Sequence, residues 1–119
     1  MAIVLSGCAG GDAPILYAGT YSGTYAPTVM GGDSGTMNIK VDSLGSITGT
    51  VVDTTKNETT TSANGKIDNN GHLTLNAPFA AGADTFMGNV GFASTGHLTG
   101  TVTESGAVNQ QVALDLTRM

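Results

Sequence analysis

Three stretches of the chain repeat one pattern, and it narrows the fold more than any other feature. They are Val41–Val51, Ile67–Leu75 and Phe92–Val102, and their glycines Gly45, Gly71 and Gly96 recur after 26 and then 25 residues. Each reads as a β-hairpin closed by a type I turn, with Asp favoured first and Gly supplying a left-handed residue at the bulge. One hairpin per interval of that length predicts an antiparallel meander.

Adding the flanking segments gives eight strands, at roughly 15–25, 35–42, 45–53, 61–67, 71–76, 85–93, 96–103 and 108–117. Period-two alternation assigns their faces. Met37, Ile39, Val41, Ile47, Val51, Leu73, Leu75, Phe86, Val90, Phe92, Leu98, Val102, Val112, Leu114 and Leu116 share one face. Ser46, Thr48, Thr50, His72, Thr74, His97, Thr99, Thr101 and Thr103 occupy the other. Strand one alternates Tyr17, Gly19, Tyr21, Gly23 and Tyr25, glycines making room between inward aromatics and letting the strand coil. The expectation is an all-β, up-and-down antiparallel barrel of about eight strands, closure removing the unpaired edges; a two-sheet sandwich is the alternative.

With 119 residues there is room for one core, assigned to 15–119, behind a short tether at 1–14. The net charge is −5, and Lys40, Lys56, Lys66 and Arg118 are the only fixed cations. Such a chain has no basic stripe for nucleic acid or anionic lipid. Its longest apolar run, Ala2–Leu5, is far short of a membrane helix. The Thr-rich outer face is wrong for a barrel embedded in lipid.

The single cysteine excludes an internal disulfide and a cysteine metal cluster. Leu5-Ser6-Gly7-Cys8, followed by Ala9-Gly10-Gly11-Asp12-Ala13-Pro14, resembles the lipobox and spacer of bacterial lipoproteins. The resemblance implies diacylglycerol on Cys8, and Ala9 after it implies sorting to the outer membrane. No Lys or Arg precedes Cys8, and the apolar stretch is shorter than a signal-peptide core, so this reading expects a longer leader upstream. The alternative is an ordinary free cysteine. The strand pattern is also similar to small calycin-like or streptavidin-like barrels, a likeness of architecture without a diagnostic motif or any Trp.

In an up-and-down order the three tight turns lie at one end, with the start of strand one and the end of strand eight. A lipid on Cys8 then turns the other end outward. That distal end is expected to carry longer loops at 26–34, 54–60, 76–84 and 104–107, with Met30, Lys56, Glu58, Phe79 and Glu104 as a candidate binding rim. For Phe79, plugging the barrel mouth is the competing reading.

Other constellations are weak. His72 and His97 follow turn glycines on strands five and seven, about 10 Å apart across strand six, too far for one metal ion. Asp68-Asn69-Asn70-Gly71 lacks the later ligands of a calcium loop. Phosphate loops, nucleophile elbows and zinc-protease motifs are absent from the sequence. The expectation is therefore a non-catalytic envelope lipoprotein without cofactor or metal, its distal loops meeting a protein partner or serving a structural role. A carrier of a small apolar ligand, in a cavity left by Gly19, Gly23, Gly49, Gly65, Gly88 and Gly100, is one alternative. A protease-inhibitor barrel is another.

Overall fold

The computed structural model describes residues 17–80, 82–92, 96–106 and 108–119. Eight antiparallel strands follow one another around a closed barrel. They are β1 (Gly19–Pro27), β2 (Gly35–Val41), β3 (Ser46–Asp53), β4 (Glu58–Ile67), β5 (His72–Phe79), β6 (Gly82–Phe92), β7 (His97–Gly106) and β8 (Gln110–Arg118). Pairing of Gly23 with Leu116 and Tyr25 with Leu114 closes β1 on β8. The barrel, rather than the sandwich, is the fold.

Hairpin chemistry sets the register at the proximal end. Asp42 Oδ1 accepts from Leu44 N and Ser46 N, both at 2.9 Å, while Gly45 takes φ 86°. Asp68 does the same for Asn70 N and His72 N, with Gly71 at φ 81°. In the third turn Gly96 again has positive φ, and residues 93–95 lie outside the described region. Once these turns fix the register, alternation places the predicted apolar set inside: Tyr21, Tyr25, Met37, Val51, Leu75, Phe86, Leu98, Val112 and Leu116 are all fully buried. Phe92 is only half-buried, at the proximal rim.

Two departures from expectation matter. The strands run two or three residues further at the distal end, β5 to Phe79, β6 from Gly82 and β7 to Gly106, because pairing and alternation continue through polar residues. The expected 76–84 loop is thus mostly ladder, and the longest distal connection is 28–34, between β1 and β2. The other departure is a bulge in β4, where Thr61 and Ser62 together face Thr50, so Thr60 and Ala63 both point inward.

Five of the inner glycines have no room for a side chain. A Cβ on Gly23, Gly49, Gly65 or Gly100 would strike a backbone carbonyl of the neighbouring strand, and one on Gly88 would lie 2.9 Å from Val102 Cα. Their cross-strand partners are Leu116, Ile39, Leu75, Val90 and Val102, so each glycine sits opposite a large inward side chain. Missing side chains here permit close strand approach under strong coiling.

Arg118 caps the proximal end. Its guanidinium lies 4.3 Å from the Phe92 ring centroid and donates to Ala18 O at 3.0 Å and Tyr21 Oη at 3.1 Å. Tyr21 in turn donates to Tyr17 O at 2.7 Å. Losing a stacked, hydrogen-bonded guanidinium is expected to cost about 1–2 kcal/mol. Arg118→Ala should lower the urea midpoint accordingly, and Arg118→Lys should restore less than half, because an ammonium cannot stack flat. An unchanged midpoint for Arg118→Ala would remove the capping role.

Candidate functional site

The distal mouth is lined by carboxyl groups turned inward. Alternation carries it there: Asp53 lies two residues beyond Val51, Asp84 two before Phe86, and Glu104 two beyond Val102, all on the core side. Glu104 is 0 % exposed, Asp53 1 % and Asp84 2 %. Asp33, from the β1–β2 loop, is a fourth buried member. Among the four Lys and Arg residues, Lys40, Lys66 and Arg118 sit on the proximal halves of β2, β4 and β8. Lys56 is left as the distal cation, its Nζ 3.5 Å from Asp33 Oδ2.

Polar contacts organise the cluster without satisfying it. Gln110, at the start of β8, clamps the loop through both ends of its amide. Its Oε1 accepts from Asp33 N at 3.0 Å, and its Nε2 donates to Asp33 O and to Glu104 Oε1, both at 2.8 Å. Asp53 Oδ1 accepts from Lys56 N at 2.9 Å, and Asp84 Oδ1 from Val108 N at 3.0 Å. Glu104 Oε2, Asp33 Oδ2 and the Tyr25 hydroxyl are buried without a hydrogen-bond partner. Unsatisfied atoms of this kind are rare in folded proteins and costly.

Electrostatics follow from that geometry. Burial, then the Asp84 carboxyl beside it, push Glu104 up to about 8, against the donor from Gln110. Burial likewise raises Asp53, helped by the neighbouring Asp33 carboxyl and opposed by the Lys56 backbone N–H. Tyr25 is held far above the ordinary phenol range by burial and by the four surrounding carboxyls. Glu104 therefore keeps its proton to higher pH than an ordinary carboxyl does. Among the described residues no three His, Cys, Asp or Glu side chains converge to hold a metal ion.

The expected rim residues separate into two sets. Met30 is fully exposed on the β1–β2 loop, beside Val29 at 66 %. Lys56 is exposed and Glu58 half-buried at the β3–β4 turn. Phe79 and Glu104 point into the barrel, Phe79 as part of the hydrophobic core, and neither presents a side chain outward. His72 and His97 lie outside, on different partners. His72 Nδ1 is 3.3 Å from Asn89 Oδ1, and His97 Nδ1 is 2.8 Å from Asp115 Oδ1. Cys8 lies outside the described residues. The sequence points to Glu104 alone among the cluster, and continuing the alternation by one step in three strands adds Asp53 and Asp84.

No family model, curated protein or solved structure matches the chain.

Proposed function

We propose that the protein is a non-catalytic module of the bacterial cell envelope, tethered to the outer membrane through lipid on Cys8, whose distal rim docks a protein partner. The observation that carries this reading is the pair Val29 and Met30, exposed on the longest distal connection. The N-terminal tether joins β1 at the opposite end, beside the end of β8. A lipid there turns Val29 and Met30 toward whatever approaches from outside. Rigid barrels presenting one adaptable apolar loop are a common plan for recognition. The partner chemistry that fits is an apolar pocket with a neutral or basic border, because the chain is acidic overall. Close packing at the inner glycines favours this reading over carriage of a small ligand.

Two measurements on protein expressed in a bacterium with its native upstream sequence test it. Intact mass and detergent partitioning are expected to place lipidated protein in the membrane fraction, and Cys8→Ser in the aqueous phase. A photo-crosslinking residue at position 30 is expected to give a discrete adduct in intact cells, absent when the same residue replaces proximal Leu44, itself 79 % exposed. Aqueous partitioning of the wild type removes the tether. Equal adducts at both positions, or none, remove the distal docking surface.

A further inference from the structure

We infer that the proximal end of the barrel is a bilayer-contact surface: Leu44, at the tip of the β2–β3 turn, enters the headgroup layer while Lys40 and Lys66 meet lipid phosphates. The surface stands on the charge and exposure of this end; only its being held at a membrane rests on the tether of the reading above.

Charge is divided along the barrel axis. Asp33, Asp53, Glu58, Asp84 and Glu104 belong to the distal half, where Lys56 is the cation and is already directed to Asp33. Asp42, Asp68 and Asp115 belong to the proximal half, together with Lys40, Lys66 and Arg118. Each of those three carboxylates is engaged locally. Asp42 Oδ1 and Asp68 Oδ1 each accept two turn N–H groups, and Asp115 Oδ1 lies 2.8 Å from His97 Nδ1. Arg118 is folded over Phe92. Lys40 and Lys66, both exposed, form no ion pair among the described residues. Phosphate is therefore repelled by one end and offered two ammonium groups by the other.

Turn chemistry does not account for Leu44. The turn needs Asp42 for its carboxylate and Gly45 for its left-handed φ, and the equivalent position of the β4–β5 turn is the polar Asn70. Leu44 nevertheless stands 79 % exposed. A lone exposed leucine is ordinary; this one is distinguished by its place. It shares an open groove of about 350 Å3 with Lys66 and His72. Lys40 stands on β2 opposite Thr48 and Lys66 on β4 opposite Ser46, so the two lysines flank β3 and its turn. β1 begins at Gly19, opposite Val41, so the chain coming from Cys8 enters beside the same turn.

An apolar tip between two lysines suits the membrane interface, where long stems lie along the apolar boundary and their ammonium groups reach phosphate. Two lysines are no basic stripe, and the contact needs none. The stretch from Cys8 to Gly19 spans at most about 40 Å when extended. A tether of that reach supplies an effective concentration on the order of millimolar, which makes a weak contact persistent.

Trp is absent from the chain and Cys8 is its only cysteine, so each can serve as a unique probe. The full, unlipidated chain is coupled through Cys8 to a maleimide-headgroup lipid in phosphatidylcholine vesicles with brominated acyl chains. Positions 44 and 30 are both exposed, so Leu44→Trp and Met30→Trp leave the core untouched. Relative to unbrominated vesicles, Leu44→Trp is expected to lose at least about half its emission and the distal Met30→Trp less than about a tenth. Adding Lys40→Glu and Lys66→Glu to Leu44→Trp should lower the quenching about twofold or more. Equal quenching at both positions, none at position 44, or quenching indifferent to the two lysine substitutions would overturn the surface. Because this tether is chemical, the result is independent of lipidation in cells. Aqueous partitioning of the cellular protein with quenching intact removes the anchor and keeps the surface; membrane partitioning without quenching does the reverse.

Discussion

Acidifying this protein from pH 8 to pH 5 is expected to stabilise it, by up to roughly 4 kcal/mol, or up to roughly 20 °C in Tm. The sign follows from Glu104. Its carboxyl rises from an ordinary 4.5 to about 8 in the folded barrel, with burial as the main cause. Between those values the folded chain holds a proton that the unfolded chain has lost. Stability therefore falls as pH rises, by about 1.4 kcal/mol per unit for one such proton. The contribution is complete below the unfolded value and gone once pH has passed through the folded one. Asp53, also raised by burial, adds a term of the same sign. Thermal melts followed by far-ultraviolet circular dichroism at pH 5, 6, 7, 8 and 9 check this directly. Glu104→Gln should flatten most of the slope while matching the wild type near pH 5. A wild-type Tm that is level, or that climbs with pH, would show that Glu104 does not carry its proton into the folded state.

The sequence makes the barrel legible because two signals agree. Asp42 and Gly45, then Asp68 and Gly71, mark hairpins whose turn geometry demands those residues. Period-two alternation from each turn then fixes which side chains are buried, from Ile47 and Val51 to Leu98 and Val102. The distal end is less legible, and the reason is physical. Alternation is recognised by its apolar members, and at that end the inward members are Asp53, Asp84 and Glu104. A carboxylate at the end of an apolar run looks like the first residue of a loop, since exposed loops are where most carboxylates lie. Phe79 lies inward beside them, as its mouth-plugging reading expects, at the end of a strand that pairs as far as Gly82. Which carboxyls meet cannot be read from any one strand, because Asp33 and Glu104 are joined through Gln110, across β8. Local repeats specify the ends of hairpins; the convergence of four segments in one mouth is a property of closure.

Closure also decides where the barrel is most vulnerable, and the sharpest test is Gly65→Ala. Among the described strands the β4–β5 ladder is the shortest, four register pairs from Asn64–Asn76 to Ile67–Leu73, because the β4 bulge and the divergence beyond it end the pairing early. Gly65 sits inside it opposite Leu75. A Cβ there would overlap Thr74 O and approach Leu75 Cα and Thr74 C at 2.8 Å. These are backbone atoms of the paired strand, so no side-chain rotation relieves the clash; β5 must move away or slip. Backbone dihedrals are not at issue, since Gly65 is absent from the positive-φ residues. The expected cost is about 3 kcal/mol, corresponding to roughly 15 °C in Tm, at the upper end of overpacking effects because the seam cannot share the displacement over many pairs. Gly91→Ala on the outer face of β6 is the matched control. It meets nothing within 4 Å, and should change stability by less than about 0.5 kcal/mol. Equilibrium urea unfolding of both variants measures the difference. Equal midpoints would mean that β4 and β5 can separate freely, and that the inner glycines are open space after all, which would restore the case for a ligand inside the barrel.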